Sequence, residues 1–361
     1  MPVFTAEQLK TIGTKIFTAA GVPAGAAGEV VDSLVLSNLM GVDSHGLVRV
    51  RNYLDSIKVG AIVPTAELRI TAENGAAAVI DGCNAFGQIV ARRATELAIE
   101  KARAHAIGAV TFTNVYHIGR LGEYVQIAAD EGFLALMFAN GSRPGGLVAP
   151  FGIRERIMGT NPIAYGIPSH GHGSVIADFS TSSVSEGKVR IASRNGEKIP
   201  LGWIIDQDGN PTDNPSDLYS GGAIQTFGGH KGYALSLLVE VIGGILSGAD
   251  TPIFPDYSYM HNGVFLLVVN PTFFRPEREY SGSVDFLLTK IKQALPAWGA
   301  GPAMLPGDPE RQHRAIRERD GVSMDDETWA EIVAVGKTLG VDVEECVKSE
   351  INMLDSGKTL L

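Results

Sequence analysis

Eight histidines punctuate the sequence, and histidine is the side chain whose ordinary pKa, about 6.5, suits proton transfer at neutral pH. Two of them stand at glycine-bounded turns that can present an imidazole to a pocket: His45 in the run VDSHG and His117 in NVYHIGRLGEY. These are the acid/base candidates. Arg49 follows His45, and its planar guanidinium matches a carboxylate through two parallel hydrogen bonds. Tyr53 comes one helical turn later and would share a helix face with Arg49. A histidine acid/base beside a carboxylate-binding arginine suits a small 2-oxo or 2-hydroxy acid.

Other constellations are less complete. His170 and His172 form an HxH pair, and Asp43 lies two residues before His45, which keeps a metal-dependent hydrolase or lyase as the alternative reading. No third ligand has convincing spacing, so no metal is assigned. A non-catalytic binding protein for small acids is a third reading. The sequence has no HExxH, no GxSxG nucleophile elbow and no Walker A lysine loop. It also has no GxGxxG after a strand, so the usual dinucleotide fingerprint is missing. From the residues alone, the reading stops at an α/β enzyme for a small acidic substrate.

Composition narrows the classes. The 361 residues are 45% hydrophobic and 19% charged, with 43 glycines and a net charge of −10. This is a globular, turn-rich chain with no basic surface for nucleic acid. Its two cysteines, Cys83 and Cys346, are too few for a disulfide framework. The first residues lack the basic start and apolar run of a signal peptide, so a cytoplasmic protein is expected. The apolar segment from Gly232 to Ala249 approaches membrane-spanning length but carries Glu240 at its centre. It reads as a buried central or interface helix, with Gly243, Gly244 and Gly248 admitting close backbone approach.

The elements that must hold these residues are legible in part. Thr5 to Gln8 has capping-box spacing, and Leu9, Ile12, Ile16 and Phe17 follow at helical intervals. A second helix runs from Val30 to near Gly41, then a polar turn leads into a short helix before Pro64. Helix to strand passages are expected from Ala85 to AVTFTNV, and again from Leu121 to the strand starting at Phe133. Irregular β-rich structure should fill Gly141 to Gly229. A long helix follows, then the strand GVFLLVVNP and helical runs near Val284–Ala294, Pro309–Arg319, Thr328–Leu339 and Glu344–Leu354. Residues 1–120 and 285–361 are expected to form one helical, substrate-side lobe, and 121–284 a glycine-rich α/β cofactor lobe.

Taken together and in order, GVDSHGLVRV, NVYHIGRLGEY, GTNPIAYGIP, ADFSTS, GWIIDQDGNP, GGHKGYALSLLVE and LPGDPE resemble the malate/L-lactate dehydrogenase family over essentially the whole chain. The resemblance implies a non-Rossmann dinucleotide-binding α/β fold, with a mixed sheet and a layer of N- and C-terminal helices. This accounts for the missing GxGxxG. It further implies NAD or NADP as cofactor and a homodimer with the site near the subunit interface. The partner is a small carboxylate substrate, with no nucleic acid and no membrane. By motif, Asp178, Phe179, Ser180, Lys231, Gly307, Asp308 and Glu310 match cofactor positions. Ser44, His45, Arg49, His117, Thr160 and Asn161 match substrate-side ones, with His117 the first choice of proton donor. The residues before His117 depart from the family's Ser-Asn-His type of pattern. Relatives in the family act on malate- and lactate-type acids, diketo sugar acids, cyclic imino acids and ureido or sulfo acids. Lys188, Arg190 or Arg194 would select between NAD and NADP.

Overall fold

The computed structural model describes residues 1–141, 144–254, 261–299 and 301–347. Strand β1 (Val3–Phe4) leads into helices α1 (Ala6–Ala19), α2 (Ala24–Leu39) and α3 (Val50–Lys58). A hairpin, β2 (Arg69–Asn74) and β3 (Ala77–Asp81), precedes α4 (Gly87–His105), β4 (Ile107–Val115), α5 (Leu121–Asp130) and β5 (Leu134–Asn140). Next come β6 (Pro162–Ile167), β7 (Val175–Ser180), α6 (Glu186–Asn195) and three short strands, β8 (Ile204–Ile205), β9 (Pro211–Thr212) and β10 (Ala223–Ile224). Helix α7 (His230–Val239) continues as a π-helical segment, Glu240–Ile245. The chain then forms β11 (Asn262–Val269), α8 (Pro271–Phe274), α9 (Glu277–Gln293), α10 (Asp308–Asp320), β12 (Val322–Ser323) and α11 (Asp326–Thr338). The helix expected at Glu344–Leu354 lies outside the described residues from position 348 onward.

The chain divides into two compact units. The first comprises Met1–Glu67, Asn84–Ile89 and the chain from Pro306 onward, and the second Leu68–Cys83 and Val90–Leu305. The β2–β3 hairpin, which has no counterpart among the elements expected from sequence, pairs with β4 into one large sheet of the second unit.

In the first unit, Thr5 caps α1 with both bonds of the expected box, Gln8 N donating to Thr5 Oγ1 at 3.1 Å and Thr5 N to Gln8 Oε1 at 2.9 Å, an arrangement contributing about 1 kcal/mol. Leu9, Ile12, Ile16 and Phe17 are all buried at the predicted helical spacing. Phe17 meets Phe86 edge-on at 5.9 Å between ring centroids. Strands β1 and β12 pair antiparallel and bring the two ends of this unit together.

The second unit is built on a seven-stranded sheet of order β2-β3-β4-β11-β5-β6-β7, parallel only at β3–β4. This is the expected mixed sheet. In its central strands Val110, Phe112, Val264, Leu266 and Met137 are buried in period-two alternation. The glycine-rich middle also contains a helix that the sequence reading missed. Helix α6 buries only Val189 and Ala192 and leaves its other residues, Ile191 among them, out of the core, so its apolar periodicity is too sparse to stand out.

The segment Gly232 to Ala249 is helical as expected but is not buried within the chain. Leu237, Leu238, Val241, Ile245 and Leu246 are 41–60% exposed. Its opposite face lies close to the sheet. A Cβ on Gly243 would sit 3.0 Å from the Asn140 backbone nitrogen, and one on Gly244 would sit 2.2 Å from Asn140 Nδ2. Gly248 plays a different part, turning the chain at φ +86° with open space around it. Among the described residues, no helix is long and apolar enough to cross a membrane.

Candidate active site

In the first unit, two short helical turns, Asp43–His45 and Leu47–Arg49, join α2 to α3. Buried Asn38 organises them, donating to Asp43 Oδ1 at 2.7 Å and accepting from Leu47 N at 2.9 Å. Arg317 of α10 clamps the Asp43 carboxylate in bidentate fashion at 2.7 and 2.9 Å. Asp43 is therefore a brace for the turn, which removes it from the metal-ligand set considered from sequence. Gly46 is required here, since a Cβ would fall 2.2 Å from Asn38 Oδ1.

The turn so held brings Ser44, His45 and Arg49 together. Ser44 Oγ lies 2.9 Å from His45 Nδ1, a contact that orients the imidazole. Arg49 Nε donates to the Ser44 carbonyl at 2.7 Å. Arg49 has no carboxylate partner among the described residues, so its fork keeps capacity for an incoming acid. Tyr53 is placed differently. It is fully buried, with its hydroxyl accepting from Gln88 Nε2 at 2.6 Å and its ring packed near Phe17 and Phe86.

On the same unit, Gly307 takes φ +91° ahead of α10, whose first turn carries Asp308 and Glu310. Asp308 pairs with Arg311 at 2.5 Å. Glu310 Oε2 is buried with no hydrogen-bond partner among the described residues.

In the second unit, His117 lies in the connection between β4 and α5 and is half-buried. The next residue is pinned from two sides: Ile118 N donates to Asn262 Oδ1 at 3.1 Å, and the Tyr124 hydroxyl donates to the Ile118 carbonyl. Asn262 in turn donates to the Asn140 carbonyl at 2.9 Å. At the other end of the loop Asn114, at φ +54°, donates to Asp81 Oδ1 at 3.0 Å. The bonds from Asn114 and from the Cys83 N–H hold the Asp81 carboxyl below the usual carboxylate range. The loop that bears His117 is thus fixed by three side chains that the sequence reading did not single out, Asp81, Tyr124 and Asn262.

Asp178 and Ser180 lie on β7, the edge strand, with exposed Phe179 between them. Asp178 Oδ2 accepts the Gly122 N–H at 2.7 Å, on the first turn of α5. This suits a carboxylate, because helix N-termini attract negative charge. Thr160 is half-buried, and its carbonyl accepts from Thr181 N at 3.0 Å and Thr181 Oγ1 at 3.1 Å. Asn161, at φ +46°, is fully buried, and its amide turns to Glu240 Oε1 at 2.8 Å and Ser236 Oγ at 3.1 Å.

Glu240 opens the π-helical segment and is 4% exposed. Its carboxylate also accepts from Gly159 N at 3.0 Å and Asn140 Nδ2 at 3.0 Å. One buried anion therefore joins the Gly159–Asn161 loop to the end of β5. The π geometry, in which the helix takes up an extra residue, is common where helices serve function.

Lys231 is exposed at the start of α7 and has no carboxylate partner among the described residues. Lys188 and Arg190 are likewise exposed on α6 without one, and Arg194 is exposed near its end. His172 Nε2 lies 2.9 Å from Thr289 Oγ1. Among the described residues, no group of three or more His, Cys, Asp or Glu is arranged to hold a metal ion.

Comparison with known proteins extends this picture. The sequence profile of malate/L-lactate dehydrogenase matches residues 4–333. The chain is 37% identical over 298 residues to a malate dehydrogenase of Pyrococcus abyssi, covering 80% of this chain and 81% of that one. It is 34% identical over 349 residues to the L-sulfolactate dehydrogenase of Methanothermobacter thermautotrophicus, covering 95% and 99%. In structure it resembles the sulfolactate dehydrogenase of Methanocaldococcus jannaschii with a TM-score of 0.87 at 32% identity, over 95% of this chain and 99% of that one.

Proposed function

The chain belongs to the malate/L-lactate dehydrogenase family, and from that premise we propose that it interconverts a small 2-oxo acid and its 2-hydroxy acid with NAD or NADP. A cyclic imino acid and its amino acid are included in the substrate class. The observation that supports this most is the Ser44–His45–Arg49 turn, where Ser44 contacts the His45 imidazole and the Arg49 guanidinium bonds the Ser44 carbonyl, with no carboxylate partner for Arg49 among the described residues.

The residues present fit a nicotinamide dinucleotide. Lys231 suits the charge of a diphosphate, and the partnerless Glu310 Oε2 suits a ribose hydroxyl. By motif, Gly307 and Asp308 in the first unit and Asp178–Ser180 in the second are each assigned to cofactor binding. When bound, the nicotinamide supplies the hydride for reduction or accepts it for oxidation. Arg49 binds and orients the substrate's 1-carboxylate. His117 gives its proton to the substrate oxygen as that oxygen becomes hydroxyl, and takes it back in the reverse direction. Ser44 and His45 hydrogen-bond the reacting oxygen or relay the proton. Thr160 is assigned to the substrate side, and Asn161 supports it from within through Glu240.

We also assign a homodimer. The exposed apolar row Leu237, Leu238, Val241, Ile245 and Leu246 supports it, since a monomer rarely leaves such a contiguous stripe open. Both cysteines are unbridged, which fits a reducing compartment such as the cytoplasm.

The test is a reduction assay with NADH and NADPH across a panel of 2-oxo acids and cyclic imino acids, reading loss of reduced-nicotinamide absorbance. Turnover of at least one such acid is expected. Absence of turnover with every acid and both cofactors would overturn the reading.

A further inference from the structure

Arg120 closes the loop that carries His117 and is the residue at which α5 begins. It is 5% exposed, and its Nε and Nη2 are buried with no hydrogen-bond partner among the described residues. An arginine cannot relieve this by losing its proton. A buried cation left without an anion is strongly destabilising, and the positive end of a helix dipole makes the position worse.

The neighbouring acids do not meet the need. Glu123 is paired with Arg92 at 2.7 Å. Asp178 spends Oδ2 on the Gly122 N–H at 2.7 Å and makes no hydrogen bond with Nε or Nη2. Nη1 lies over Gly122, 2.4 Å from where a Cβ would be, with Asp178 Oδ2 3.3 Å from that point. A side chain at 122 would collide with the guanidinium, so the glycine is what lets it lie there.

The Nε and Nη2 edge is the face of arginine that binds a planar or tetrahedral oxyanion through two parallel bonds. It stands at a helix N-terminus, itself an anion site, three residues from the proposed proton donor. We propose that Arg120 is a specificity residue that takes the second acidic group of the substrate, a carboxylate or sulfonate on the carbon chain beyond C2. The enzyme then prefers 2-oxo acids with a distal acid over simple ones. This rests on the function proposed above and names its substrate class.

The experiment compares wild type, Arg120→Gln and Arg120→Lys with oxaloacetate, 3-sulfopyruvate and pyruvate, and measures the KM of the nicotinamide in parallel. Wild type should favour the two diacids. In Arg120→Gln the ratio of kcat/KM for oxaloacetate over pyruvate should fall about 10- to 100-fold, as expected for a lost charged hydrogen bond. Arg120→Lys should recover part of that ratio. Thermal unfolding supplies an arm that needs no turnover. L-malate should protect wild type more than L-lactate does, and Arg120→Gln should lose that difference. Without ligand, Arg120→Gln should unfold no lower than wild type, because it removes a charge whose Nε and Nη2 have no partner among the described residues.

Several results would overturn the proposal. An equal loss on both acids would make Arg120 a prop for the His117 loop. A loss confined to the nicotinamide KM would assign it to a cofactor phosphate. A markedly lower unfolding temperature without ligand would make it a structural cation. Failure of every acid to turn over, with the malate protection intact and Arg120-dependent, would sink the proposed function but leave the anion site standing.

Discussion

Replacing Glu240 by Gln tests whether one buried carboxylate holds the floor of the second unit. Glu240 accepts N–H groups from Gly159 at 3.0 Å, Asn161 at 2.8 Å and Asn140 at 3.0 Å. A glutamine can keep its oxygen toward Gly159 and Asn161, but its amide nitrogen then faces the Asn140 amide nitrogen, donor against donor. Rotating Asn140 does not relieve this, since its Nδ2 also donates to the Asp250 carbonyl at 2.7 Å and its Oδ1 accepts from Gly263 N at 3.3 Å. One charge-assisted bond is lost and two are weakened to neutral strength. The lost bond is worth roughly 1.5–3 kcal/mol, and the weakening of the other two is largely offset because a buried amide costs less desolvation than a buried carboxylate, so the net loss is about 2–3 kcal/mol. For a unit of this size that corresponds to a fall of about 4–6 °C in Tm. Differential scanning fluorimetry reads the shift, and kcat/KM on the preferred 2-oxo acid reads the effect on the Thr160–Asn161 loop. A variant unfolding within about 1 °C of wild type, against that 4–6 °C expectation, would refute the reasoning.

Other perturbations reach the remaining parts. His117→Asn should lower kcat by about 10²- to 10⁴-fold with nicotinamide binding intact, and near-normal turnover would move the proton donor to His45. Arg49→Lys should raise KM for the acid about 10-fold or more with a smaller change in kcat, because lysine cannot reproduce the planar fork; an unchanged KM removes Arg49 from the substrate. Val241→Asp, on the exposed row of the π-helical segment, should shift the protein toward monomer in analytical ultracentrifugation, and an unchanged mass would assign the dimer to another surface. Asp81 has a pKa lowered in the folded state. It therefore stabilises the fold above its unfolded value near 3.9, and that contribution is lost as pH falls through the lower folded value. The Tm gap between wild type and Asp81→Asn should be widest near neutral pH and narrow below about pH 4; a constant gap would count against this role.

Much of the frame was legible in the order of residues. The capping box at Thr5, the helical spacing of Leu9 to Phe17 and the period-two strands around Phe112 and Leu266 all folded as local pattern dictates. Local pattern works there because each element buries one face, and that need is written as a period. The missed elements lacked such a signature: α6 buries two residues of ten, and β2 is exposed along its length.

The sequence alone determined the chemical vocabulary: His45 and His117 at glycine-bounded turns, Arg49 near the first, and an ordered set of motifs that names a family. Tertiary structure decided which of these side chains are available. It turned Tyr53 and Asn161 inward, committed Asp43 to Arg317, and left Nε and Nη2 of Arg120 without a hydrogen-bond partner among the described residues. It also exposed one face of a helix that the sequence offered as either central or interface. The reason is physical. Residue type sets what a group can donate, accept or titrate, whereas its free valence depends on partners that arrive from Arg317, Asn262 or Glu240, more than seventy residues away in the chain.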